Sequence, residues 1–377
     1  MKTSLYRLMV ETAAEGLTLQ REDGSLPPGH NGPHGDPERP SRNTGHWAMN
    51  WCFAHRETGE TRFRDAAARA ADYLMLPEHR PGGYTVHHRD SAGKDRCNGL
   101  MGPAFTLESL AAVGSHLGRQ DLLSLAAEIV RMHPFDARRG LWQVREIDGS
   151  LPGIDWTLNH QIWFAACVGL VSASTGGDAA AHVISFLDSL KHTMVLRPNG
   201  RIRHLAQDIA PAARAKSALG GLFGRGKDAA LPAKEHKREV AYHFFSIYPL
   251  TMLKQQFPEH AFWSTEIFSR AYRYPFEEEY SRASDDPAFV QPHIPAGFPL
   301  GFAERAFANQ VFGPEDLAFQ RRMLAKQFQR TYAFDERLLS KGSADPITQA
   351  ARSYEMTRLA DVAFEIDCAE TQEFSAR

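Results

Sequence analysis

Two kinds of helical segment alternate along this chain, and the alternation constrains the fold more than any other feature. Over 60–76, Phe63, Ala67, Ala70 and Leu74 follow the i, i+4, i+7, i+11 spacing of one apolar stripe, with Arg and Asp on the other side. Over 119–132, Leu122, Leu125, Ala126 and Ile129 repeat it. The segments just before these differ: 157–171 (TLNHQIWFAACVGLV) and 101–113 are apolar nearly all round. A helix of that kind must be covered on every side, whereas a one-striped helix covers something and faces water. Inner and outer partners fall at 43–57 with 60–76, 98–116 with 119–133, 156–174 with 178–192, 239–256 with 260–274, and 297–310 with 315–332. A helix over 346–366 and one over 3–20 pair to complete six hairpins. We therefore expect an all-α fold, an (α/α)6 toroid in a single domain over 1–377, with a flexible insert at 213–237.

Composition narrows the function. Lys plus Arg (43) nearly balance Asp plus Glu (45), a net charge of -2, so there is no overall basic field to gather phosphate backbones, and nucleic acid is not an expected partner. Arg outnumbers Lys 33 to 10 and there are 17 His, a stock suited to local capture of carboxylates in a cleft. The first 25 residues place charges in every turn and offer no signal-peptide core, and nothing elsewhere is apolar enough to span a bilayer. Cys52, Cys97, Cys167 and Cys368 are scattered without a CxxC, as in a reducing compartment, and a cytoplasmic protein is expected. In the insert, Gly221, Gly226 and Lys227 imitate a phosphate-binding loop, but Asp228 stands where Ser or Thr is needed. GxSxG and GxGxxG are absent, which sets aside serine-hydrolase and dinucleotide readings.

Long Gly, Pro and aromatic connections precede the first three inner helices, so they decorate one end of the ring. Polar residues gather where the inner helices open: Asn43, His46 and Trp47; Asn98; Asp155, Asn159, His160 and Trp163; Tyr242 and His243. Asp155, Asn159 and Trp163 are each four apart and share one helix face, joining carboxyl, amide and indole. Such groups suit sugars, whose hydroxyls want planar donors and acceptors and whose C–H faces stack on indoles. Taken singly, each has a plainer role: Asp155 as a helix cap, His160 as a core histidine, Trp47, Trp142, Trp156 and Trp163 as core. His30, His34 and Asp36 have a weak metal-ligand spacing and read better as a substrate-contacting loop; His87, His88 and Arg89 form a second loop able to meet a carboxylate. We expect no metal and no cofactor.

The order SLPPGHNGP, RNTGHW, HHRD, CNGLMGPAFTLESL, HPFD, GLW, DWTLNHQIWFAA and AYHFFSIYPL resembles the AglQ-like proteins of glycan-assembly gene clusters, in the six-hairpin glycosidase superfamily. The resemblance covers about residues 20 to 260 and implies a toroid with a polar funnel acting on an oligosaccharide or polysaccharide, often one with uronic acid. IDWTLN is similar to a stretch of unsaturated uronyl hydrolases, which implies glycosidic hydrolysis with Asp155 as acid and base, its pKa raised by Trp156 and Trp163. No second carboxylate matches near His46. Asn159-His160 with Trp163 also resembles the Asn-His element of toroidal polysaccharide lyases. That likeness implies Asn159 clamping a uronate carboxyl, His160 as base and Tyr242 or His243 as proton donor, in a lyase or a C5-epimerase. A binding protein that keeps the ring without turnover is the third reading.

Overall fold

The computed structural model describes residues 1–210, 233–285, 301–314 and 316–366. Helices dominate: α1 Leu5–Gly16, α2 Ser41–Thr58, α3 Thr61–Leu74, α4 Met101–Leu117, α5 Gln120–Met132, α6 Leu158–Thr175, α7 Ala179–Thr193 and α8 Ala233–Gln256. They continue as α9 Glu266–Arg273, α10 Glu278–Asp285, α11 Gly301–Phe312, α12 Leu317–Thr331 and α13 Pro346–Ala351, the last running into a 3-10 segment, Arg352–Arg358. α2, α4, α6, α8, α11 and the 3-10 segment touch in that order, and the last returns to α2, closing an inner ring. α3, α5, α7 and α12 each pack on the inner helix before them, and α1 packs on α2. The (α/α)6 toroid follows as the alternation requires: α4 and α6 bury residues on all faces, α3 and α5 on one. Gly59, Gly118 and Gly176 end α2, α4 and α6 and turn the chain into the outer helix within three residues.

The C-terminal element departs from the expected 346–366 helix. Asp345 caps Thr348 N (3.2 Å), and α13 lasts six residues. The buried Arg352 then pairs with Glu355 only three residues on (2.6 Å) and with Glu304 of α11 (3.2 Å), which fits the tighter winding of a 3-10 turn. Beyond it, β5 (Ala363–Glu365) pairs antiparallel with β1 (Lys2–Ser4), and the Met1 amino group donates to Ile366 O at 2.6 Å, so strands clasp the ring where a helix was expected. A small sheet of β2 (Phe135–Asp136), β3 (Leu141–Val144) and β4 (Gly153–Ile154) leads the chain into α6. Of the expected insert, 233–237 opens α8 and the rest, with the phosphate-loop imitation at 221–228, lies outside the described residues, as does Cys368. Cys52, Cys97 and Cys167 are buried thiols. No helix among the described residues is long and apolar enough to cross a membrane.

Candidate functional site

Where β4 turns into α6, Asp155 is tied down from three sides. Its Oδ1 accepts Thr157 N (2.9 Å), two residues on, in a local Asx turn. Its Oδ2 accepts Leu100 N from the start of α4 (3.1 Å) and faces His160 Nδ1 at 2.8 Å. One carboxylate thus links the openings of two inner helices. The buried Gln161 holds the same turn, donating to Asp155 O and Trp142 O (2.8 Å each) and accepting Trp142 N (2.9 Å). The close approach needs Gly99, at φ +59°: a Cβ there would stand 2.4 Å from Asp155 Oδ2 and 3.1 Å from His160 Nδ1.

Burial pushes the Asp155 carboxyl upward, as the sequence leads one to expect. The charge and hydrogen bond of His160, with the two backbone N–H groups, outweigh it and hold the carboxyl at about 2. The expectation of a raised pKa is corrected: Asp155 is an ionised acceptor rather than a proton reservoir. A carboxylate only accepts, so His160 carries a hydrogen on Nδ1, and in the neutral form of the ring the lone pair stands on Nε2.

His160 lines a cavity of about 300 Å³ at this end of the ring. Arg42 from α2, Phe105 from α4, Asn159 from α6 and Tyr242 and Phe245 from α8 contribute, with Asn98 from the turn before α4 and Asn31, His34, Asp36, Arg89, Lys94 and His204 from the loops. Arg42 lies over the Phe105 ring (4.3 Å to its centroid) and bonds Glu38 at 2.8 Å; His88, fully buried, holds the same Glu38 at 3.1 Å. Burial raises the Glu38 carboxyl, but these partners bring it down to about 2. Asp36 accepts from Lys94 (2.5 Å), Ser91 (3.0 Å), Arg89 (3.1 Å) and Asn31 (3.2 Å), locking two loops together. His34 Nε2 meets the Tyr242 hydroxyl at 3.1 Å. Burial pushes the Tyr242 phenol up to about 12 and His204 down to about 4, so both are neutral near pH 7.

Of the residues named from sequence, His34, Asp36, Arg89, Asn98, Asn159, His160 and Tyr242 meet at the cavity, with Asp155 directly behind His160. Others do not. His243 is fully buried, accepting Ile202 N (3.2 Å) and donating to Ala271 O (2.9 Å), so it pins α9 rather than serving as a proton donor. Asn43 donates to Pro27 O and Thr348 Oγ1, His46 packs on Phe105 and Tyr354, and Trp47 stacks on Trp51 beneath α1. His87 bonds Asp90, and His88 bonds Glu38 and packs on Phe105. Trp163 is 0% exposed between Phe105 and Tyr248, core rather than stacking platform. Sequence reasoning missed Arg42, Lys94, Phe105 and His204, none of which shares a periodic pattern with the others.

The H-x3-H-x-D residues do not converge on a metal: His30 Nδ1 faces Gly32 O, His34 faces Tyr242 and Asp36 sits in its ion pairs. Asp95, Cys97 and Glu146 bring ligand atoms within 4.8 Å of one another, but burial keeps the thiol protonated and the carboxylates accept Gly99 N and Arg96 N.

A six-hairpin ring with a polar cavity at the loop-bearing end defines the class, and solved structures agree. The chain superposes on a D-mannose isomerase (TM-score 0.63, 11% identity, 98% and 97% of the two chains), on the cellobiose 2-epimerase of Spirochaeta thermophila (0.61, 14%, 94% and 95%) and on the unsaturated glucuronyl hydrolase of Bacillus sp. GL1 (0.59, 13%, 93% and 96%). At such identities these establish the fold. No family model matches the sequence. The archaeal glycosylation protein Q of Haloferax volcanii is 38% identical over 375 residues, 97% of this chain and 100% of that protein. The chain belongs to that family, the AglQ-like proteins.

Proposed function

We propose that this protein moves a proton on a sugar drawn from a glycan, with His160 as the base. The observation that carries this is the Asp155–His160 pair: an imidazole at the cavity wall whose Nδ1 is fixed at 2.8 Å by a carboxylate held at about 2. His160 Nε2 takes a proton from a carbon beside a carbonyl or carboxyl group. The C–H electron pair passes into an enediol-like double bond, and a proton returns to the carbon from the Tyr242 hydroxyl or from His160 itself. Return to the other face is epimerisation; return to the neighbouring carbon, with the hydroxyl proton passing to the former carbonyl oxygen, is isomerisation; and departure of the sugar oxygen on the carbon β to the acid group, protonated by Tyr242 in place of return, is a lyase reaction. Asp155 holds the tautomer and offsets the imidazolium that forms.

Glycosidic hydrolysis through Asp155 has less support. Asp36, which lines the cavity, and Asp155, behind His160, are both held ionised by their donors, so among the described residues neither is a carboxylic acid able to protonate a leaving group at neutral pH. The name of the Haloferax relative supports a glycan as the source of the substrate, and the buried thiols are compatible with the cytoplasm.

Incubating candidate sugars in D2O and reading product by NMR tests the proposal. Deuterium enters an uncut sugar for an epimerase or isomerase, and ultraviolet-absorbing fragments form for a lyase. A binding protein produces neither. Reducing ends formed without deuterium on carbon, and lost in Asp155→Asn, would return the reaction to hydrolysis.

A further inference from the structure

Three buried asparagines away from the cavity each have at least one side-chain hydrogen bond to their surroundings. Asn43 donates to Pro27 O (2.9 Å) and Thr348 Oγ1 (3.3 Å), Asn50 donates to Ala351 O (3.0 Å) and accepts Ser353 Oγ (3.1 Å), and Asn309 accepts Gln320 Nε2 (3.4 Å). Asn159 is different. It is 2% exposed, lines the cavity, and neither its Oδ1 nor its Nδ2 has a partner. Exchanging the amide oxygen and nitrogen would change nothing, because both ends are open. A buried amide left so is costly unless something that enters the cavity completes it.

The amide sets a donor beside an acceptor, and its complement must offer an acceptor beside a donor. A carboxylate meets half of this, accepting from Nδ2 while turning negative charge on Oδ1. Two adjacent sugar hydroxyls meet both halves. The cavity's charges point the same way, since Arg42 is matched by Glu38, and Arg89 and Lys94 by Asp36 and Asp95. Its volume, about 300 Å³, is at the small end for ligand sites and suits one ring. We propose that Asn159 reads a vicinal diol on a single sugar residue, free or at a chain end, and is the specificity-determining residue of the site. This rests on the cavity being a sugar site and deepens that reading; the uronate clamp expected of Asn159 gives way to a hydroxyl clamp.

The test is equilibrium binding to the full chain, measured by ligand-observed NMR with D-mannose, D-glucose, D-galactose and D-glucuronate as probes, then with the monodeoxy series of the tightest. Two neighbouring deoxy positions should each weaken binding by about ten- to a hundredfold in the wild type and by under about threefold in Asn159→Ala. The melting midpoint of Asn159→Ala should not fall, because no internal bond is lost. Deoxy penalties that persist in Asn159→Ala overturn the proposal, as does a cost of Asn159→Ala seen for glucuronate and not for glucose. A fall in melting midpoint like that of Asn43→Ala makes Asn159 structural and also overturns it. If no probe binds the folded wild type, the sugar-site reading fails with it; if probes bind without coupling to Asn159, only this inference fails.

Discussion

The openings of α2 and α6 carry the same kinds of residue, yet they meet different fates. In α2 the Asn43 amide is engaged by Pro27 and Thr348, His46 is sealed against Phe105 and Tyr354, and Trp47 lies beneath α1. In α6 the Asn159 amide has no hydrogen-bond partner, and His160, braced by Asp155, lines the cavity. What differs is the cover: α1, α13 and the 3-10 segment lie on α2, while the start of α6 borders the space between loops. A polar residue at a buried helix start becomes available to a ligand only where no neighbouring group completes it.

The strongest break in that comparison comes from His160. His160→Ala should lose about a thousandfold in turnover with little change in melting, whereas His243→Ala should cost about 3 kcal/mol in chemical denaturation, with turnover per folded molecule kept. A catalytic loss in His243→Ala would mean that α9 shapes the site. Gly99→Ala should come next, about a hundredfold, because its Cβ collides with Asp155 Oδ2; a slow variant that melts like the wild type would show the pair's geometry at work. Asn43→Ala, the α2 counterpart of Asn159→Ala, should lose about 2 kcal/mol, measured by denaturant titration, and leave turnover alone.

Acid gives the smallest separable effect. Asp155 and Glu38 both titrate at about 2 in the folded chain, below the ordinary carboxylate range near 4. Depressed values of this sign stabilise the fold fully above about pH 5, and the stabilisation is lost as pH falls through about 2, on the order of 2 kcal/mol for each group. Denaturation midpoints followed from pH 6 to pH 2 should therefore decline more shallowly in Asp155→Asn than in the wild type.

The ring was legible because helix periodicity is local, and α4 and α6 declare their burial within their own sequence. Asn159 and His160 open α6 near where the helix was expected, but Asp155 lies before it, in the turn from β4, so it meets His160 through that turn and not along a shared helix face with Asn159 and Trp163. Helix geometry also explains the errors. His243 follows Tyr242 by one residue, about 100° round α8, so when Tyr242 faces the cavity His243 must face α9. Trp163 shares a face with Asn159 but lies about 6 Å further along the axis, below the cavity floor. The Asp155 pKa was misjudged because burial was weighed without the charge and hydrogen bond of His160, which lower it most; Leu100 N, from another hairpin, adds to them and leaves no trace in the local sequence. Arg42 and His204 reach the cavity through tertiary packing alone.

The most direct check is a crystal structure of the chain soaked with the sugar that binds it best, read for the distance from His160 Nε2 to the nearest ring carbon bearing hydrogen. This account predicts about 3.5 Å or less, with Asn159 on two adjacent hydroxyls. A sugar whose glycosidic oxygen rests against Asp155, with His160 turned from the ring, would contradict it.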